Sequence, residues 1–306
     1  MTFNEFQNSL IKSLKDSLIN TDLAEAELSL QKVDKLNGTY NSLCIKPKES
    51  IIGMNLNLDS IFKAYEEGVD YETLVKRTAE ECISGLKSSP SVNLKELTDY
   101  SKIKGKLSLE VVSAERNADT LKSIPHNMIE DMAVITRIVL DKTDYGSATI
   151  VITNSLCKQF GITKEQLFED ALINAPIVRP SEIKGMTEVM SELMPGLMPD
   201  IAPEDEQIFV ASVPDKNHGA GVIAYPNFME DAAQKLGGSY FVLPASVHEL
   251  LLVRDNGQMS AQDLENMVKE VNATQVEPCD QLTDHVYFYD ANRHVFQMAD
   301  KALKSA

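Results

Sequence analysis

Residues 240–257, YFVLPASVHELLLVRDNG, set His248 beside Glu249, with Ser246 two positions upstream. A histidine next to a glutamate has the composition of an acid–base pair, and a serine close to a histidine is the start of a nucleophilic arrangement. The run is apolar enough to form a strand over 247–253, where successive side chains point to opposite faces. His248 then shares a face with Leu250 and Leu252, and Glu249 shares the other with Val247 and Leu251. Strand geometry therefore separates the pair, and each polar group must find its own partner or reach water. Arg254 at the end of the run is the cation nearest to Glu249 in sequence. Ser246 shares the His248 face, but neighbours two apart on one strand stand about 6–7 Å apart, too far for a direct hydrogen bond.

Other candidates are scattered. HGAGVIAYP places His218 and Tyr225 around Gly219 and Gly221. The third glycine of a dinucleotide fingerprint is missing, so the pair indicates a turn that needs close backbone approach, and GVIAYP is expected to continue as a strand. In DHVYFYD, His285, Tyr287 and Tyr289 share one face and Val286 and Phe288 the other, which makes the first a candidate recognition surface. IPHNMIEDMAVITRIVL carries His126, Glu130 and Asp131 ahead of a strongly apolar strand, with Arg137 inside it. A cation in such a strand needs an acidic partner or an anion.

The familiar motifs are absent. There is no phosphate-cradling glycine loop, no nucleophile elbow and no H-E-x-x-H. The five histidines are not at metal-ligand spacings, and Cys44, Cys82, Cys157 and Cys279 are far apart. No metal and no cofactor is expected from the residues.

The elements that would position these groups are legible in outline. Phe3, Phe6, Leu10, Leu14 and Leu18 recur at helical spacing. Alternating runs flank Asn37-Gly38, a strong hairpin signal, and IIGMNLNL follows as a third strand. Helices are expected at IFKAYEEG, capped by Asp59 or Ser60, and over about 70–86. KSSPSVN, 87–93, has the composition of a linker. Beyond it, GKLSLEVVS, EDMAVITRIVLD and GSATIVIT are strands, the last two joined through the turn 142–146. Thr163 caps a helix that Pro176 is expected to stop, over 163–174. A short Met-rich helix then leads into Pro195, Pro199 and Pro203, irregular backbone that offers a contact surface or a lid. Strands at IFVASVP, 208–214, and at 240–243, helices over NFMEDAAQKLGG and the Ser260-capped SAQDLENMVKEVNAT, and a closing hairpin complete the chain. The fold class is α+β, with mixed, largely antiparallel sheets packed with helices. The division expected is a helix/three-strand/two-helix unit over 1–90 and a larger α+β domain over 91–306, unless the two are continuous.

The bulk numbers exclude some functions. Lys plus Arg number 29 against 46 Asp plus Glu, a net charge of −17, which repels nucleic acid and anionic membrane. Trp is absent, so aliphatic residues and twelve Met must fill the core. No apolar run approaches the ~20 residues of a membrane span, and the N-terminal helix pattern lacks the apolar stretch and cleavage site of a signal peptide. A cytoplasmic protein is expected.

Taken together, IPHNMIEDMAVITRIVL, GSATIVITNSLCKQFGITKEQLFEDALINAP, GAGVIAYP, YFVLPASVHELLLV and EVNATQVEPCDQLTDHVYFYD resemble a family of uncharacterised proteins, a domain of unknown function, of low-GC Gram-positive and largely gut bacteria. The resemblance extends to VDKLNGTYNSLCIKP and AYEEGVDYETLV. The stretch 124–253 also resembles a second uncharacterised Gram-positive family. Neither resemblance implies an activity or carries over a catalytic residue.

The leading expectation is a non-enzymatic protein- or peptide-binding, regulatory module. The candidate binding residues are His218, Tyr225, His248, Glu249, Arg254, His285 and Tyr287. The competing expectation is a hydrolase or small-molecule-binding enzyme whose site gathers His218, His248, Glu249 and His285 from separate elements. A third is an acidic inhibitor that imitates nucleic acid. Convergence of the histidines in space separates the first two.

Overall fold

The computed structural model describes every residue except 37, 49–52, 88–96, 144–145, 196–201, 203, 245 and 303–306. The Asn37 side of the first turn, the 88–93 linker, the centre of the 142–146 turn and Pro199 and Pro203 thus lie outside the described residues. The chain forms two compact units, Met1–Ser91 and Val92–Ala306.

In the first unit, α1 (Phe3–Leu18) is opened by a capping box, Thr2 Oγ1 accepting from the Glu5 amide and Glu5 accepting from the Thr2 amide. Its Phe6, Leu10, Leu14 and Leu18 are buried against Leu43 and Ile45 of the sheet and against Leu74 and Cys82. That sheet runs β1 (Glu27–Lys35), β2 (Gly38–Lys46), β3 (Met54–Asn57), all antiparallel. Lys35 pairs with Gly38, and Gly38 opens the second strand. The cap of α2 (Leu58–Glu66) is Asn57, not Asp59 or Ser60: its Oδ1 accepts from both of their amides. The unit closes with α3 (Tyr71–Lys87).

The described residues of the second unit form two antiparallel sheets. One has the order β4 (Leu107–Ser113), β6 (Met132–Thr143), β5 (His126–Ile129), with β7 (Gly146–Val151) also on β6. The other has the order β13 (Val295–Met298), β12 (Tyr287–Asp290), β10 (Tyr240–Leu243), β11 (Leu250–Arg254), β9 (Ile208–Ser212), β8 (Glu182–Gly185). The helices are α4 (Tyr100–Ile103), α5 (Asn154–Phe160), α6 (Lys164–Val178), α7 (Met186–Leu193), α8 (Phe228–Leu236), α9 (Ala261–Thr274) and α10 (Ala299–Ala302). The main core takes Leu107, Leu109 and Val111 from β4, Leu167 and Ala171 from α6, and Tyr240, Val242, Leu250, Leu252, Tyr287 and Tyr289 from the second sheet. The opposite face of that sheet packs Phe241, Leu243 and Val253 against Leu264 and Val268 of α9. The fold is α+β, built from antiparallel sheets.

Three elements differ from the sequence expectation for identifiable reasons. Pro176 lies inside α6, two residues before its end. Its missing N–H removes one bond from a final turn still closed by the Arg179 amide on Ala175 O, 2.9 Å. GAGVIA is a 3-10 turn over Gly219–Ala224 rather than a strand, pressed onto β4 and β9. A Cβ at Gly221 would strike the Leu109 carbonyl, 2.9 Å from its carbon, and one at Gly219 would stand 2.6 Å from His248 O. Glycine is required there because two backbones touch. The last strand of the opening segment begins at Leu250, so His248 and Glu249 precede it.

Candidate functional site

The site is assembled on a buried carboxylate. Glu110 alternates with Leu109 and Val111 in β4 and points away from their core, yet it is only 2% exposed. Arg137 lies in the neighbouring β6, opposite Ser108, while Glu110 is opposite Ile135, so the two side chains meet diagonally across the ladder. The Arg137 guanidinium donates from Nε to Glu110 Oε2 and from Nη2 to Oε1 at 3.2 Å, a forked contact, and from Nη1 to Thr149 Oγ1 at 3.0 Å.

The third partner arrives from the glycine turn. His218 Nδ1 lies 2.9 Å from Glu110 Oε1. That nitrogen is buried and the approach is off the axis of a ring N–H, so the contact is electrostatic rather than a linear hydrogen bond. Burial of Glu110 opposes its ionisation most strongly, but the His218 contact and the Arg137 charge together hold its carboxyl below the ordinary glutamate range. His218 sits in the left-handed region at φ 51°, ψ 33°, uncommon for a residue with a Cβ. Its neighbours hold it there. The nearly buried Arg179 guanidinium donates to Asp215 Oδ1 and Asn217 O just upstream, and the Tyr225 hydroxyl donates to Arg179 O at 2.8 Å. Burial keeps the Tyr225 phenol protonated, with a pKa pushed up to about 12.

His248 completes the arrangement, its ring 5.4 Å from that of His218. The His218 amide donates to His248 Nδ1 at 3.2 Å, so in the neutral ring the proton sits on Nε2, 3.5 Å from Asp280 Oδ1. Ser246 Oγ accepts from the His248 amide at 3.0 Å, and Ser212 Oγ donates to His248 O at 2.7 Å. The Ser246 hydroxyl thus closes a local turn. Backbone bonds from Ala220 N to Val247 O (3.1 Å) and Val247 N to Asp280 O (2.7 Å) lace the three segments together.

Both rings are about one-third exposed, at 31% for His218 and 35% for His248. They differ in what is left to do. Both nitrogens of His248 face protein groups. His218 has Nδ1 turned inward to Glu110 and Nε2 with no partner among the described residues. A carboxylate beside one ring nitrogen favours a proton on that nitrogen.

The remaining sequence candidates lie elsewhere. Glu249 is exposed and makes no polar contact among the described residues. The Arg254 guanidinium lies over the Phe209 ring at 5.4 Å and donates to Glu204 O at 2.6 Å. Tyr287 is buried, its hydroxyl donating to Asp131 Oδ1, and His285 is exposed and lines the cleft that Asp131 also borders. Tyr289 is buried as well, so the strand face that offers two phenols in sequence packs into the core. His294 sits at φ 56° in the turn Ala291–His294, 3.3 Å from the Tyr289 hydroxyl.

Glu110 and Asp280 escaped the sequence reading. Each of the two apolar runs LSLEVV and AVITRIV contains a single charge of opposite sign, which is the signal that links Glu110 to Arg137. Asp280 stands in a loop and left no signal.

Among the described residues, no cluster of His, Cys, Asp or Glu is arranged to hold a metal, and no helix is long and apolar enough to cross a membrane. The fold and site thus define an α+β protein with a carboxylate-backed histidine pair. Residues 3–291 match the profile of a family of unknown function (DUF5688), and the chain belongs to that family. No curated protein and no solved structure matches it.

Proposed function

We propose that the larger unit is a small-molecule-processing enzyme of hydrolytic type, with His218 as general base. The observation that carries this is the 2.9 Å approach of His218 Nδ1 to the buried Glu110 carboxylate, on a side chain that is 31% exposed. In this reading His218 Nε2 takes the proton from a water or substrate hydroxyl as that oxygen attacks. Glu110 balances the imidazolium, and the proton is returned to the leaving group. Arg137 keeps Glu110 ionised, and His248 with Asp280 positions the His218 backbone without entering the proton transfer.

The test needs no substrate. Diethyl pyrocarbonate acylates an unprotonated, accessible imidazole nitrogen, and mass spectrometry reads each of the five histidines separately. His218 is expected to react fastest and to lose that advantage in Glu110→Gln. Reaction of His218 no faster than the exposed His285 would overturn the assignment.

A second reading, a protein- or peptide-binding module, is favoured by α6, where Ile173 and Ile177 are 66% and 75% exposed one turn apart. A net charge of −17 suits a basic partner. If that reading holds, Ile173→Glu with Ile177→Glu abolishes binding of a basic partner and leaves His218 reactivity unchanged.

A further inference from the structure

Two residues of the turn that carries His218 sit where a side chain with a Cβ rarely goes: Lys216 and His218 are both at φ 51°. Neighbouring groups must hold them there. Upstream, the Lys216 amide donates to Val213 O at 2.9 Å, and the Arg179 guanidinium grips Asp215 and Asn217 O. Downstream, Ala220 N donates to Val247 O at 3.1 Å, a backbone bond that does not titrate. His218 itself is held by a ring nitrogen, its amide donating to His248 Nδ1 at 3.2 Å. In that conformation its own Nδ1 stands 2.9 Å from Glu110 Oε1.

The bond to His248 depends on protonation. Nδ1 accepts only while it is bare, and a second proton on the ring makes it a donor facing a donor. Histidine is the side chain whose charge changes between about pH 5 and 8. The groups around His248 divide the two consequences of that proton. Asp280, from the segment after α9, faces Nε2 at 3.5 Å, and the Cys279 thiol is hydrogen-bonded to the same carboxylate. The His218 amide faces Nδ1, with Glu110 of β4 and Arg137 of β6 beyond the His218 ring. Asp280 therefore attracts the added charge, while the added proton breaks the bond to the turn. The His248 backbone stays fixed, its amide on Ser246 Oγ at 3.0 Å and its carbonyl under the Ser212 hydroxyl of β9 at 2.7 Å. The ring is the part that moves, and at 35% exposure it has water to turn toward.

We propose that His248 is a pH-operated latch on the His218 turn. With His248 neutral the latch is closed, and His218 is held in the left-handed conformation against Glu110. With His248 protonated the amide bond is lost, the turn relaxes, and the His218 ring loses its fixed place on the carboxylate. The latch regulates the site assigned above to His218, and it rests on that reading for its consequence alone.

Amide hydrogen exchange of the full chain across about pH 5–8, corrected for the intrinsic rate at each pH, tests it alongside the His248 ring titration followed by NMR. As pH falls, the His218 amide is expected to lose protection about tenfold, with the midpoint of the His248 ring, while the amides of β4 and β11 keep theirs. His248→Asn puts an amide oxygen near the place of Nδ1 and does not titrate, so protection should persist through the whole range. His248→Leu has no acceptor and should leave the His218 amide open at every pH. The coincidence of the two wild-type midpoints gives a readout that needs no variant. Exchange reads the latch whether or not His218 is a base, and diethyl pyrocarbonate at one neutral pH reads the base, so the two assignments fail separately. The proposal is overturned by protection that does not change with pH, by a midpoint unlike that of the His248 ring, or by loss of protection in β4 and β11 together with the turn. A pH step retained in His248→Asn, or full protection in His248→Leu, overturns it as well.

Discussion

Replacing Arg137 by methionine keeps most of the side-chain length and removes the charge that faces Glu110. Glu110 is 2% exposed, so its carboxylate would be left with the off-axis His218 contact alone. Removing one partner of a buried ion pair costs about 3–5 kcal/mol, about a fifth or more of the stability of an ordinary domain. The pH dependence identifies the cause. In the wild type the Glu110 carboxyl lies below its ordinary value of 4.5, so the ionised group contributes stability that is present above 4.5 and lost as pH falls through the folded value. In Arg137→Met the lowering influence of the guanidinium is gone while burial still opposes ionisation, so the folded value should rise. The ionised group then contributes less stability at every pH above the folded value. The deficit of the variant should therefore be largest near neutral pH and shrink as pH approaches 4.5. Urea melts of the full chain followed by far-UV circular dichroism measure it. Arg137→Met with Glu110→Leu should recover most of the loss, because no buried charge remains. A deficit below about 1 kcal/mol near neutral pH, the size of an ordinary exposed pair, would refute the reasoning, as would a deficit independent of pH.

Other substitutions probe the parts separately. Gly221→Ala should destabilise the larger unit by about 1–3 kcal/mol, because the new methyl meets the Leu109 carbonyl and backbone must move; thermal melts read it. Tyr225→Phe removes the hydroxyl that holds Arg179 O, and should slow acylation of His218 without lowering helix content. Asn57→Ala removes the cap of α2 and should cost about 1 kcal/mol in urea melts, with His218 reactivity unchanged.

Local rules recovered much of the fold. The capping box at Ser260, the glycine stop at Gly237, and the apolar alternation of β4 and β6 depend on neighbours in sequence, and they fall where sequence places them. The elements that differ were decided by distant contacts. GAGVIA has strand composition, but Leu109 and His248 press on its two glycines and leave room for a tight turn only. β8 is four residues long and gains its identity from pairing with β9, which its own sequence does not announce. The site is the extreme case. The adjacency of His248 and Glu249 drew the eye, yet Glu249 points to solvent and the acid beneath the histidines is Glu110, more than a hundred positions upstream. His218 met His248 because loops, not strand faces, carry both.

The central claim is that Glu110 fixes His218 with Nδ1 protonated and Nε2 bare. Long-range nitrogen–proton correlation spectra of the isotope-labelled, neutral imidazoles read this directly. The account predicts opposite tautomers for the two neighbours, the proton on Nδ1 in His218 and on Nε2 in His248. A proton on Nε2 of His218 would remove the lone pair assigned to catalysis and contradict the account.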